Sequence, residues 1–196
     1  FPEDHGPHAD FRIEWWYVTA NLAGEDGKEY GVQWTLFRSA LAPGGAAGDQ
    51  TWMAHAAVSS PQGHFSTERF ARGDFGTAFV SAKPFVAEVD EWQMAGPSLR
   101  DVNVTAQGTD FAMDLQLSTK APFVAQGDEG YSVKSDDGQA SYYYSQPFYQ
   151  ATGVLTLPGG DVAVSGEAWL DREWSSSPLS PDQTGWDWAS IHLDSG

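Results

Sequence analysis

The chain contains no cysteine, so no disulfide can staple it and no thiolate can act as nucleophile or metal ligand. It has no apolar run near the ~20 residues that a membrane-spanning helix needs. Basic residues are scarce: 10 Lys and Arg against 27 Asp and Glu leave a formal net charge of -17. So acidic a surface repels phosphate backbones and anionic headgroups, which excludes nucleic acid and acidic membrane faces as partners. Helical periodicity is missing over any convincing length, with only Gln62–Phe75 leaving room for a short helix. There is no Gly-x-Ser-x-Gly elbow, phosphate loop, His-Glu-x-x-His or dinucleotide fingerprint. His5, His8 and Asp10 sit in a Pro- and Gly-rich opening segment, too loose a set to specify a metal, and no metal or cofactor is expected.

What remains is alternation. Residues 1–10 read as an extended lead-in. Phe11–Leu22 then places Phe11, Ile13, Trp15 and Tyr17 on one face and Arg12, Glu14, Trp16 and Val18 on the other. The Gly-rich turn Ala23–Lys28 returns the chain along Tyr30–Ser39. Further strands are expected at Trp52–Ser59, Phe65–Arg72, Phe85–Met94, Leu99–Ala106 and Phe111–Leu117. Others are expected at Ser141–Tyr144, Thr152–Leu157, Val162–Leu170 and Trp186–Leu193, with Pro122–Gln139 as loop. Ten or eleven strands with tight turns describe an all-β antiparallel meander, sandwich or up-and-down barrel. At 196 residues the chain holds one large domain of this kind, or one domain and part of another.

Chemistry concentrates where aromatic and acidic residues meet. Gly166–Pro178 packs Trp169, Asp171, Arg172, Glu173 and Trp174 into six residues, and Gly185–Leu193 adds Trp186 and Trp188. Alternation puts Trp169, Asp171 and Glu173 on one face and Leu170, Arg172 and Trp174 on the other. A carboxyl group walled by indoles is stripped of water, which suits it to hold and deliver a proton. The competing reading makes these acids structural, with Glu14–Arg12 and Asp171–Arg172 as locks that close a barrel. His55 reads first as a core histidine on its strand. The candidate set is therefore Asp171, Glu173 and Glu14 for catalysis. For ligand contact it is Trp15, Trp16, Tyr17, Gln33, Trp34, His55, Tyr143, Trp169, Trp174, Trp186 and Trp188.

Six motifs in order carry a family resemblance. They are Glu14-Trp-Trp-Tyr17, Gln33-Trp-Thr-Leu-Phe-Arg38, Glu68-Arg-Phe-Ala-Arg72, Gln126-Gly-Asp-Glu-Gly-Tyr131, Ala140-Ser-Tyr-Tyr-Tyr-Ser145 and Trp169-Leu-Asp-Arg-Glu-Trp-Ser175. Together they resemble the AttH-type, carotenoid 1,2-hydratase-like lipocalin family, whose members are often labelled predicted secreted hydrolases. The resemblance implies a lipocalin-like β-barrel over residues 11–180, the first of two in tandem, with 181–196 starting the join to the second. It also implies a periplasmic or secreted setting and a small apolar ligand of terpenoid or lipid type. The hydratase branch adds water to a terminal alkene without a cofactor. That branch tends to carry Asp-His-Asn-Trp where this chain has Asp171-Arg-Glu-Trp174, so Arg172 stands in place of the histidine. Arginine does not give up a proton at neutral pH. Asp171 and Trp174 carry over and the histidine's role does not. Three readings stay open: an acid-assisted hydratase or hydrolase, a non-catalytic carrier of apolar molecules, and a carbohydrate-binding module that would need an open aromatic face.

Overall fold

The computed structural model of the protein describes residues 1–177, 179–180, 182–185 and 187–191. Among the described residues there are thirteen strands, and every ladder between them is antiparallel. They are β1 (Ile13–Gly24), β2 (Glu29–Ala40), β3 (Gln50–Ser60), β4 (Gly63–Arg72), β5 (Ala78–Ala82), β6 (Phe85–Val89), β7 (Trp92–Ser98), β8 (Asp101–Gln107) and β9 (Ala112–Ser118). The short β10 (Val124–Ala125) and β11 (Tyr131–Val133) precede two long strands, β12 (Ala140–Leu157) and β13 (Gly160–Ser177). The sheet runs β4-β3-β2-β1-β13-β12-β9-β8-β7-β6-β5 and curls into a nearly closed barrel. The first half of β12 pairs with β10 and β11, and the second half pairs with β9. The expected all-β antiparallel barrel is what the chain forms.

The differences from expectation are local. Phe85–Met94 is two strands, not one, because Asp90 takes a positive φ of 49° and starts a turn. Aspartate tolerates that left-handed conformation better than most residues. Gln62–Phe75 forms β4, not a helix. β12 and β13 are each 18 residues long and absorb the segments expected as separate strands; a bulge between Gln146 and Tyr149 bends β12 around Pro147. Gly166 lets β13 lie close to β1: a Cβ there would meet the Asn21 carbonyl oxygen at 2.1 Å. Residues 187–191 belong to no strand, and the rest of the expected Trp186–Leu193 strand, Trp186 included, lies outside the described residues.

The interior is filled by side chains. Trp16, Trp34, Leu36, Phe85, Trp92, Met94, Leu115, Leu117 and Leu170 are fully buried in one continuous apolar core. Between β4 and β5 no backbone ladder closes the barrel. There Arg69 reaches from β4 to the Glu91 carboxylate and the Gln107 carbonyl, with its guanidinium 4.6 Å from the Trp92 ring centroid.

At one end of the interior the charges are locked together. Glu14 on β1 is fully buried and accepts hydrogen bonds from Arg38 on β2 and Arg172 on β13. The His8 amide donates to the same carboxylate at 2.9 and 3.1 Å. Arg38 also donates to the His8 and Phe11 carbonyls at 2.7 and 2.9 Å, and Arg172 to the Gly6 carbonyl at 2.6 Å. Arg172 lies 4.0 Å from the Trp16 ring centroid, and His8 stacks on Trp174 at 4.0 Å. The lead-in is thereby drawn over the barrel mouth. His5 is buried there, its Nδ1 2.6 Å from the Tyr144 hydroxyl and its carbonyl accepting from Trp16 Nε1 at 2.9 Å. The lock differs from the expected pairs. Arg12 is exposed, and Arg172 points to the face opposite Asp171 because adjacent strand residues alternate.

These groups set a pH response. Burial would push Glu14 up, but Arg172, His8 and Arg38 outweigh it and hold the carboxyl at about 2. Burial, aided by nearby positive charge, lowers His5 to about 4. Both values lie below those of the unfolded chain, so both groups contribute stability at neutral pH that disappears on acidification. The His5 contribution fades as pH falls from about 6.5 towards 4, and that of Glu14 as it falls from about 4.5 towards 2. We predict that urea midpoints measured from pH 7.5 to 3 fall in both windows, and that His5→Asn flattens the upper one. An unchanged upper window in that variant would contradict the assignment. Glu14→Gln leaves two buried guanidinium groups short of a counter-charge and is expected to lose roughly 3 kcal/mol or more at pH 7. A loss below about 1 kcal/mol would show that the lock does not hold the fold together.

Candidate active site

The opposite face of the same strands forms the candidate site. β1 turns Ile13, Trp15 and Tyr17 outwards, β2 turns Phe37 outwards, and β13 turns Trp169, Asp171 and Glu173 outwards. The ladder sets Trp15 opposite both Phe37 and Glu173, and Tyr17 opposite Asp171. On β12, Ser141, Tyr143 and Ser145 face the same way, with Tyr143 opposite Glu173 and Ser145 opposite Asp171. Trp188, from the segment beyond β13, covers the group and meets Tyr17 edge-to-face at 5.1 Å. The result is an apolar compartment of about 270 Å3 bounded by Ile13, Trp15, Tyr17, Phe37, Tyr143 and Trp188, with Asp171 and Glu173 on its floor. A second lobe of about 260 Å3 shares Trp15, Tyr143, Glu173 and Trp188 and continues towards Lys134, Leu179 and Asp187.

Asp171 is 2% exposed, although it lies on the outer face of the barrel. Its Oδ1 accepts from the Tyr143 hydroxyl at 2.9 Å, the Ser145 hydroxyl at 2.5 Å and Trp169 Nε1 at 2.8 Å. Its Oδ2 accepts from Trp188 Nε1 at 2.9 Å. Gln126 fixes Ser145 in turn, donating to its hydroxyl at 3.0 Å. Burial, and then the Asp171 charge, raises Tyr17 and pushes Tyr143 well above its ordinary value, so both phenols keep their protons. Glu173 accepts from the Ser141 hydroxyl and pairs with Lys134 Nζ at 3.0 Å. The Lys134 ammonium also lies 4.9 Å from the Tyr143 ring centroid. This arrangement can hold an apolar body against aromatic walls and present two carboxylates, one carried by neutral donors and one by a cation.

The structure brings together Asp171, Glu173, Trp15, Tyr17, Tyr143, Trp169 and Trp188 from the expected set. It separates the others. Glu14 lies in the interior lock, ionised and shut off from the compartment by the sheet, which removes it as a proton donor. Trp16, Trp34 and Trp174 face the interior and belong to the buried barrel core. Gln33 and His55 lie further along the outer face in an open polar hollow with His64, Ser66 and Glu68. His55 is 41% exposed, not a core residue, with its Nε2 3.9 Å from Glu68. Trp186 is outside the described residues.

Phe37, Ser141, Ser145 and Lys134 were not expected at the site. The register of the β1–β2 hairpin, set by its turn, would have placed Phe37 beside Trp15. The alternation in Ser141-Tyr-Tyr-Tyr-Ser145 contained both serines. Nothing in the local sequence pointed to Lys134, which arrives on the residue after β11.

The chain is 38% identical to a crystal structure described as an AttH protein from Nitrosomonas europaea, with a TM-score of 0.82 over 93% of this chain and 57% of that one. It shares its fold with kievitone hydratase from Nectria haematococca, at 14% identity and a TM-score of 0.63, over 88% of this chain and 50% of that one. The chain thus spans about half the length of each of these solved proteins. No curated protein matches it. The AttH-like family model matches residues 1–196, and the chain belongs to the AttH-like family.

Proposed function

We propose that this domain binds an apolar, terpenoid- or lipid-like small molecule in the outer-face compartment, and that the complete protein adds water to a carbon–carbon double bond of that molecule. The observation that carries the reading is the buried Asp171 carboxylate, facing an aromatic compartment and held by four donors. In the proposed reaction Asp171, which as a carboxylate accepting four hydrogen bonds has no proton to give, is first protonated from solvent and then delivers that proton to one alkene carbon. The faces of Trp15 and Trp188 stabilise the cation that forms at the other carbon. Water attacks that cation, and Glu173, oriented by Ser141 and Lys134, accepts the water's proton. Glu173 then releases the water's proton to solvent, which balances the proton that Asp171 took up. The sum is addition of one water, with no oxidant or cofactor consumed. The fold shared with kievitone hydratase is consistent with this class of reaction. A second barrel in the complete protein and a periplasmic or secreted setting form part of the same reading, and cell fractionation that finds the protein in the cytoplasm would remove the setting.

The same compartment without turnover would be a carrier. A carbohydrate platform is disfavoured, because it would need an open aromatic face, whereas Trp188 packs against Tyr17 here and Asp171 beside them is 2% exposed. Incubation of the full-length protein with mixed acyclic polyenes and lipid esters, followed by mass spectrometry, separates the readings. A product heavier by one water is expected. Two cleavage fragments would indicate a hydrolase, and unchanged compounds co-purifying with the protein would indicate a carrier.

Asp171→Asn keeps an acceptor for Tyr143 and Ser145 but removes the acid. It is expected to lower turnover by roughly 10²–10⁴-fold with binding unchanged within a few-fold. Full turnover in this variant would exclude Asp171 as the proton donor.

A further inference from the structure

The two oxygens of Asp171 are held unequally. Oδ1 is saturated by three donors on the rigid strands β12 and β13. Oδ2 is held by Trp188 Nε1, which comes from a segment outside the sheet, on a side chain 41% exposed. The indole N–H is thus the one of these four donors that comes from outside the sheet. The electrostatics restrict what could replace it. Asp171 and Glu173 form the floor, and Asp187 lies at the wall of the second lobe. Among the described residues bounding the two lobes, Lys134 is the one cation, and Glu173 already pairs with it. An anionic head would therefore meet the Asp171 carboxylate, which no cation offsets, and would find no free cation among the described residues bounding the lobes.

We infer that the site is built for an uncharged apolar molecule carrying a hydroxyl group, whose O–H takes the place of Trp188 Nε1 at Asp171 Oδ2. This rests on the proposal that the compartment takes an apolar ligand, and it narrows that class to neutral alcohols or phenols against ethers and carboxylates. A hydroxyl both fills the position that the indole N–H holds and brings no charge. Trp188 then serves as the stand-in donor that keeps Oδ2 satisfied while the site is empty of ligand.

The test uses three probes with one hydrocarbon skeleton: farnesol, farnesyl methyl ether and farnesoate. Dissociation constants are measured calorimetrically on the purified protein and on Trp188→Phe. In the unaltered protein the alcohol must displace the indole, so it is expected to bind only about threefold tighter than the ether. In Trp188→Phe no donor competes, and the ratio is expected to rise to roughly tenfold or more. Farnesoate is expected to bind at least about tenfold more weakly than farnesol to both proteins. An alcohol-to-ether ratio that is the same in both proteins, or a carboxylate that binds tighter than the alcohol, overturns the inference while the apolar site stands. No binding of any of the three overturns the apolar-ligand reading itself.

Discussion

A single carboxylate, that of Glu14, sits at full burial between two guanidinium groups delivered by the strands on either side of it. Removing three charges from water is costly, and the cost is tolerated only because nearly every polar atom in the group is satisfied. Further arginine donors go to the carbonyls of Gly6, His8 and Phe11, so the lead-in is positioned by the same network. The three strands β2, β1 and β13 are tied together at one level of the barrel, and that level is the one at which the outer face carries Ile13, Trp15, Glu173 and Ser175. The geometry of the candidate site is in this sense inherited from a charge cluster on the other side of the sheet.

The period of two along β13 makes this economy possible. Leu170, Arg172 and Trp174 face inwards and complete the core and the lock, while Trp169, Asp171 and Glu173 face outwards and build the site. Strand residues that would normally meet water on one face are here buried on both, because Trp188 and its neighbours cover the outside. The four donors on Asp171 show the same division of labour. Three come from strands whose positions are fixed by backbone ladders, and one comes from a segment with no ladder of its own.

Much of the fold was legible because alternation is a local property. The faces of Phe11–Val18 and of Trp169–Trp174 followed from the residues alone, and so did the antiparallel all-β class. What the pattern could not supply was which face points inwards. Both faces of β1 carry a tryptophan, and an indole is as much at home in a core as in a pocket, so Trp16, Trp34 and Trp174 read as site residues when they are core. Glu14 was similarly ambiguous: its partners Arg38 and Arg172 are far away in sequence, and the nearby Arg12 offered itself as a false one. Lys134 reaches Glu173 only through the pairing of β11 with β12, a contact that no local periodicity records. The turn at Asp90 was missed for a different reason, since a lone aspartate in a left-handed conformation leaves an otherwise continuous strand pattern intact.

The pairing of β1 with β13 joins the first strand of the barrel to the last. Every other neighbour along β4-β3-β2-β1 and along β12-β9-β8-β7-β6-β5 can form once its own stretch of chain is available, but this junction must await the final strand. Until then Glu14 has only one of its two arginines, and the outer face of β1 has no acid opposite it. Such a long-range closure is slow, since the whole intervening chain must be looped before the contact repays it. A chain that waits with open sheet edges risks joining its neighbours edge to edge. A net charge of -17 opposes such association through mutual repulsion.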